Sequence, residues 1–117
     1  MPPKEVHLKQ SNHNEEFYYL ISPNQFTDWA VVVLFYSALH IVDAFLAIHG
    51  IHPGSHERRV KLVNTMHDLK PIADEFMILK DESELARYNA KKFSETEVSM
   101  LENTYKLIKA NMLLLLG

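Results

Sequence analysis

The chain has 117 residues, and its 12 lysines and arginines against 15 aspartates and glutamates give a formal net charge of −3. This balance excludes a protein held to nucleic acid by bulk positive charge, because neutralising phosphates requires a basic surface, and it leaves room only for a local basic patch. The absence of cysteine excludes disulfides, thiolate zinc sites and cysteine nucleophiles, while the length and the 47% hydrophobic content predict a single domain spanning residues 1–117.

The first half of the chain predicts two helices. Residues 5–20 carry an imperfect apolar stripe, and Pro23 in the run 22–24 is expected to end this helix because proline cannot continue the hydrogen-bond ladder. Thr27 or Asp28 is expected to cap the second helix, and Gly50 is expected to follow its end in the position that glycine favours. The second helix is apolar on nearly all sides, which predicts neighbours on several of them.

Residues 29–48 also have about the length of a membrane span. His40 and Asp43 lie in the middle of this segment, where a charged residue is costly in hydrocarbon, and the first residues of the chain lack the pattern of a signal peptide. We therefore expect a buried central helix in a soluble, cytoplasmic protein. The residues expected in its core or at a dimer interface are Trp29, Val33, Leu34, Leu39, Val42 and Leu46.

The second half predicts the remaining helices. Ser55 is expected to cap a third helix that Pro71 breaks or kinks, with helix continuing over residues 72–79 and a short turn at 83–88. Ser94 and Glu97 have the spacing of a capping box before a final helix. Since no stretch alternates as a strand does, the sequence predicts an all-α fold, a single antiparallel bundle of four to five helices.

Three polar residues of the central helix, Tyr36, His40 and Asp43, share one face because their spacings are four and three. A histidine and a carboxylate one turn apart can orient each other for acid–base work or share a metal. They can also satisfy each other's hydrogen bonds inside a packed core. The sequence leaves a ligand or catalytic role and a purely structural role open.

The loop after the central helix holds His49, His52 and His56 within eight residues. Imidazole nitrogens bind Zn²⁺, but no carboxylate or thiolate accompanies them at a zinc-like spacing, so the alternative is a loop rich in polar cap residues and no cofactor is expected. His56 and Arg59, with Arg58, also open the third helix, where free N–H groups attract anions. They are expected to form a phosphate-sized pocket or, alternatively, a solvated helix face.

Arg87 and Tyr88 form the last candidate cluster. Together they could stack on a base or clamp a phosphate. The alternative is an ion pair between Arg87 and an acid of the preceding cluster, which contains Asp81, Glu82 and Glu84. No glycine-rich phosphate loop, nucleophile elbow or zinc-protease motif accompanies these residues.

The run from Trp29 to Ala47, followed by Gly50, Ser55-His56-x-x-Arg59 and Ala86-Arg87-Tyr88, resembles the HEPN family. The resemblance extends from about His13 to Tyr88. It implies a helical bundle that often pairs as a homodimer, in prokaryotic toxin–antitoxin, defence and RNA-processing systems. It also implies a nucleotide, RNA or protein partner, and in a toxin–antitoxin pair that partner resembles a nucleotidyltransferase.

Ribonucleases of the HEPN family share an Arg-x4–6-His motif, which this chain lacks. His67 follows Arg59 after seven intervening residues and Arg58 after eight, and no histidine follows Arg87. One extra residue turns a helical position by about 100°, so Arg59 and His67 cannot face one site as the arginine and histidine of the family motif do. The resemblance therefore implies a non-catalytic binding module. The alternatives are a metal-independent ribonuclease using His40 or His56 with Arg59 or Arg87, and a purely structural interaction subunit.

Overall fold

The computed structural model describes residues 2–21 and 25–117, and within these ranges the chain forms five α-helices, one 3₁₀ turn and no strand. The predicted all-α bundle is therefore confirmed, while the predicted helix stop at Pro23 lies outside the described residues. The elements are α1 (Lys4–Ile21), α2 (Thr27–Ile48), α3 (His56–Thr65), the 3₁₀ turn (His67–Ile72), α4 (Ala73–Tyr88) and α5 (Glu95–Leu116).

The second helix, α2, forms the centre of the core, and α1, α4 and α5 pack around it. Its apolar side chains are covered on several sides, as its sequence predicts. Val33 is partly buried against the core, whereas Trp29 is 56% exposed, so its predicted place in the core is wrong and its alternative place at a dimer interface stays a prediction. Trp29 lies in the first turn of α2, where no neighbouring helix covers it fully. The other predicted core residues, Leu34, Leu39, Val42 and Leu46, are buried.

The same helix is long and apolar enough to cross a membrane by length and composition alone, with a mean hydropathy of 2.2. In the folded chain, however, 72% of the apolar stretch of this helix is buried by protein. Neighbouring helices cover this helix, so its apolar surface is already removed from water without a lipid bilayer. This arrangement is consistent with a soluble protein.

Three helix ends follow the predicted local chemistry. The Ser55 hydroxyl accepts a hydrogen bond from the Arg58 N–H at 3.1 Å and caps α3. Ser94 and Glu97 form the reciprocal capping box at the start of α5. Gly50 follows α2 with a φ of +70°, a conformation that costs any residue with a Cβ atom.

The predicted cap of α2 is wrong. The helix begins at Thr27, and Phe26 before it makes no side-chain capping hydrogen bond. The two expected caps contact the connection between α4 and α5 instead. The Thr27 hydroxyl accepts a hydrogen bond from the Phe93 N–H at 3.4 Å, and the Asp28 carboxylate lies 3.7 Å from the Lys92 ammonium.

The predicted boundaries around Pro71 are also wrong. Helix α3 ends at Thr65 because Met66 is extended, with φ −76° and ψ 128°. Pro71 lies in the 3₁₀ turn, after which α4 runs without interruption through both predicted segments, 72–79 and 83–88. Phe76, Leu79 and Ser83 lie on one buried face of α4, and this packing explains why the two segments form one helix.

Candidate functional site

Asp43 of α2 and Arg59 of α3 form a buried bidentate ion pair. The Arg59 Nε and Nη2 atoms donate to the two carboxylate oxygens at 2.8 and 2.9 Å. Both residues line a cleft of about 100 Å³, together with His7 and His52. The structure thus brings together two of the candidate residues, Asp43 of the central helix and Arg59 of the expected phosphate-sized pocket. The pair joins α3 to α2. Because Asp43 neutralises the charge of Arg59, Arg59 is poorly suited to bind a phosphate.

His56 lies nearer the middle of α2 than expected. Antiparallel packing of α2 and α3 would place it beside the end of α2. Its ring centroid is 6.2 Å from that of Phe35 and 6.1 Å from that of Tyr36, which are residues in the middle of α2. The connection 49–55 therefore runs back along α2 before α3 begins. Helix α3 packs on the 3₁₀ turn and α4, and it reaches α2 through long side chains such as Arg59.

The His56 imidazole is hydrogen-bonded to Arg59. Its Nδ1 lies 3.2 Å from Arg59 Nη1, and since a guanidinium only donates, Nδ1 accepts this hydrogen bond. Burial lowers the pKa of His56, and the positive charges of Arg59 and Arg87 lower it further, against a smaller opposing effect of Asp43. His56 is therefore a neutral hydrogen-bonding group at neutral pH.

His40 pairs with a residue that the sequence did not single out. Its Nδ1 lies 3.1 Å from Nδ1 of His7, so one ring donates and the other accepts. The mutual pairing of His40 and Asp43, one of the alternatives that the sequence leaves open, does not occur, because the Asp43 carboxylate binds Arg59. His7 and Ser11 are buried residues four apart on α1, a spacing that could have indicated the face turned toward α2.

The His7–His40 pair predicts a loss of stability in mild acid. Burial lowers the pKa of both histidines below the ordinary 6.5, as do the positive charges around them, although Asp43 opposes this. The unfolded chain therefore binds more protons, and the free energy of unfolding falls as pH drops below about 6.5. We expect lower urea midpoints at about pH 5.5 than at about pH 7.5, and a smaller decrease in His7→Asn.

His13→Asn supplies the control for that experiment, since it removes an exposed histidine from the same helix. Equal urea midpoints for the wild-type protein at the two pH values would contradict the lowered pKa values of His7 and His40. A decrease that is as large in His7→Asn as in the wild-type protein would assign the effect to other groups.

Arg87 is held against two tyrosine rings. Its Nη1 donates to the Tyr36 hydroxyl at 2.8 Å, and its Nε donates to the Ser83 carbonyl at 3.3 Å. The guanidinium carbon lies 5.4 Å from the Tyr36 ring centroid and 5.0 Å from that of Tyr88. These contacts place a cation on the faces of aromatic rings, which attracts it through their quadrupoles.

The alternative expectation for Arg87, an ion pair with the acidic cluster, is wrong. Glu84 binds Lys80 at 2.8 Å and Glu82 binds Lys91 at 2.8 Å, while Asp81 lies 3.7 Å from Lys80. All three carboxylates thus form ion pairs with lysines on the same stretch of chain. Within the part of the chain that the structure describes, Arg87 has no carboxylate partner and keeps three of its five N–H groups for a ligand.

The histidine-rich loop does not converge on one point. The His49 ring packs on Phe45 with centroids 4.7 Å apart, His52 lines the cleft at Arg59, and His56 lies beside Tyr36. Among residues 2–21 and 25–117, no three histidine, cysteine or acidic side chains come together as a metal site would require. The loop therefore shows no preformed zinc geometry in this region.

The seven candidate residues thus form two neighbouring groups that His56 joins. One group contains the ion pair of Asp43 and Arg59 together with His40, which is hydrogen-bonded to His7 of α1. The other is an aromatic and cationic surface with an exposed Tyr88, which we call the Arg87 surface; it consists of Tyr36, His56, Arg87 and Tyr88. No family model, no curated protein and no solved structure matches the chain.

Proposed function

We propose that the chain is a non-catalytic, HEPN-like cytoplasmic module that binds a nucleotide or a single-stranded RNA segment at the Arg87 surface. The observation that supports this proposal is the state of Arg87, a cation on two tyrosine rings with no carboxylate partner among the described residues. Arg59, by comparison, is neutralised by Asp43. The Arg87 surface is therefore the better anion site of the two groups.

A nucleotide matches both features of this surface. Its phosphate would take the remaining N–H groups of Arg87, since a planar guanidinium binds phosphate in a bidentate manner. Its sugar or base would pack on an exposed aromatic ring beside Arg87, and Tyr88, which is 74% exposed, offers one such ring. His56 adds a neutral imidazole beside Tyr36 whose Nε2–H can donate a hydrogen bond, because its Nδ1 accepts from Arg59. The net charge of −3 opposes binding by bulk charge and favours binding through such a local patch.

Replacing Arg87 with glutamine is expected to weaken binding of a short single-stranded RNA about tenfold or more. The reason is that a hydrogen bond to a charged group contributes about 1.5–3 kcal/mol, and about 1.4 kcal/mol corresponds to a factor of ten. Fluorescence anisotropy of an end-labelled oligonucleotide at low salt measures this affinity.

Arg58→Gln is the matched control, because it removes the same charge from an exposed arginine whose guanidinium donates to the His52 carbonyl at 3.4 Å. It should retain nearly the wild-type affinity. An equal loss in the Arg58 and Arg87 variants would indicate non-specific attraction and contradict the proposed site. Failure of the wild-type protein to bind the RNA would contradict it as well.

A ribonuclease remains the second candidate because His56 and Arg87 interact on one surface, where the charge of Arg87 lowers the pKa of His56 after the larger effects of burial and Arg59. His40 is less suited to act as a base, since it is bonded to His7. Incubating the same RNA with the protein and a chelator, followed by a denaturing gel, separates the two functions. Cleavage that disappears in His56→Ala would replace the binding module with an enzyme.

We further propose that the chain pairs with a second copy of itself. Large apolar side chains are exposed on several helices, among them Leu113 to Leu115 at the end of α5. Light scattering coupled to gel filtration should give twice the chain mass of 13.6 kDa. A mass near 13.6 kDa at all micromolar concentrations would contradict the dimer. A dimer without ligand binding would support the purely structural subunit.

A further inference from the structure

A cavity of about 400 Å³ lies between the start of α2 and the end of α4. Its lining includes Asp28, Trp29, Val32, Ala86 and Arg87. Arg87 thus belongs both to this cavity and to the Arg87 surface, so a ligand held by its guanidinium can extend into the cavity. The volume falls within the range of small-molecule pockets, roughly 300–1,000 Å³.

We propose that this cavity receives the base of a bound nucleotide and selects bases that carry an exocyclic amino group. In this arrangement Trp29 packs on the base, the Asp28 carboxylate accepts a hydrogen bond from the amino group, and Arg87 holds the phosphate. The inference rests on the proposed function, because it names the nucleotide class that the Arg87 surface would take.

The first support is the exposure of Trp29. An indole is among the largest apolar groups a protein can bury, yet Trp29 is 56% exposed, while Val32 and Ala86 beside the cavity are 8% exposed. A flat aromatic ring next to a floor of small apolar side chains matches the shape of a nucleobase. Such stacking contributes about 1–3 kcal/mol per base in proteins that bind single strands.

The second support is the weak engagement of Asp28. Its only ion pair in the described part of the chain is with Lys92 at 3.7 Å, and the Lys92 side chain is 79% exposed. Its carboxylate makes no hydrogen bond to another described residue, so its oxygens remain available to a ligand. An ionised carboxylate accepts hydrogen bonds and cannot donate them. It therefore favours an amino group and disfavours a carbonyl oxygen at the same position.

The third support is the backbone at Ala90, which also lines the cavity. Ala90 follows α4 with a φ of +53°, in the left-handed region where glycine usually ends a helix. The Cβ atom makes this conformation costly, and such residues cluster at binding sites. Glycine at this position would remove the backbone strain. Alanine keeps a residue with a methyl group in the lining of the cavity.

Titration with matched nucleoside monophosphates tests the selection. AMP and IMP differ by an amino group in place of a carbonyl, and CMP and UMP differ in the same way. The chain has one tryptophan, Trp29, so its fluorescence reports directly on the cavity. We expect AMP and CMP to bind about tenfold more tightly than IMP and UMP, and Asp28→Asn to remove this preference because an amide both donates and accepts.

Asp68→Asn, the same change at an exposed residue outside the cavity, is the control and should keep the preference. An unchanged preference in Asp28→Asn, or no preference in the wild-type protein, would overturn the inference. Equilibrium dialysis separates it from the proposed function. Arg87-dependent binding that leaves Trp29 fluorescence unchanged overturns the cavity alone, whereas absence of binding by both methods overturns the proposed function as well. Circular dichroism confirms that each variant is folded.

Discussion

Replacing Asp43 with alanine is expected to lower the free energy of unfolding by about 3–5 kcal/mol, the usual cost of leaving a buried charge without its partner. The side chains of Asp43 and Arg59 are only 8% and 11% exposed, and two hydrogen bonds of 2.8 and 2.9 Å join them. Removal of the carboxylate leaves the Arg59 guanidinium beside α2 with His56 as its one remaining polar contact among the described residues. Urea unfolding at neutral pH measures the change.

Two further variants identify the cause of that loss. Replacing both partners with apolar residues, Asp43→Leu with Arg59→Met, should recover much of the stability, because no unpaired charge remains. Glu84→Ala breaks the Lys80–Glu84 pair, whose carboxylate is 46% exposed, and should change stability by less than about 1 kcal/mol. If Asp43→Ala costs no more than Glu84→Ala, the buried pair does not fasten the two helices.

The same variants separate fastening from ligand binding. A folded Asp43→Asn protein that still binds RNA would agree with a structural role for the Asp43–Arg59 pair, as the closed geometry of that pair suggests. Loss of binding in a stable Asp43→Asn or Arg59→Ala protein would instead move the site from Arg87 toward α3. Stability and affinity therefore have to be measured on each variant.

Local features of the fold could be predicted from the sequence because local chemistry determines them. Ser55 caps α3, and Ser94 with Glu97 forms the capping box of α5, through contacts within four residues. The apolar pattern of α2 likewise predicts its central place. Pro71 is less informative, because a proline permits a 3₁₀ turn as well as a helix break and the packing of the neighbouring segments decides between them.

The partners of the polar residues could not be predicted in this way. His40 faces His7, which is 33 positions away, and Arg87 bonds to Tyr36, 51 positions away. Spacing along one helix identifies which residues share a face, but it does not identify what the next helix brings to that face. The sequence therefore indicated the polar face of α2 correctly and misassigned the hydrogen bonds on it.

Trp29 shows a similar limit for apolar residues. Its size and position on an apolar helix predict burial, but the first turn of α2 extends beyond the cover of its neighbours, and the ring is 56% exposed. An apolar residue on the surface is common, because folded proteins cannot cover all of their apolar atoms. Only the arrangement of α4 and the connection after it turns this position into one wall of a cavity.

Replacing Leu39 with alanine is expected to lower the free energy of unfolding by about 2–5 kcal/mol. Leu39 lies near the middle of α2, is 4% exposed and belongs to the single core cluster that α2 shares with the surrounding helices. The substitution removes buried methyl groups and leaves a space that the packed neighbours fill only in part. The midpoint of thermal unfolding should fall by roughly 10 °C or more, as measured by circular dichroism.

Leu20→Ala makes the same chemical change in α1 at a side chain that is 82% exposed, and it should leave the midpoint nearly unchanged. Both variants exchange leucine for alanine within a helix, so helix propensity, which favours alanine slightly, cancels in the comparison. The difference between them isolates the burial of Leu39. If the two melting curves coincide, α2 does not present Leu39 to the core, and the face assigned to Tyr36, His40 and Asp43 is rotated as well, since all four positions belong to one rigid helix.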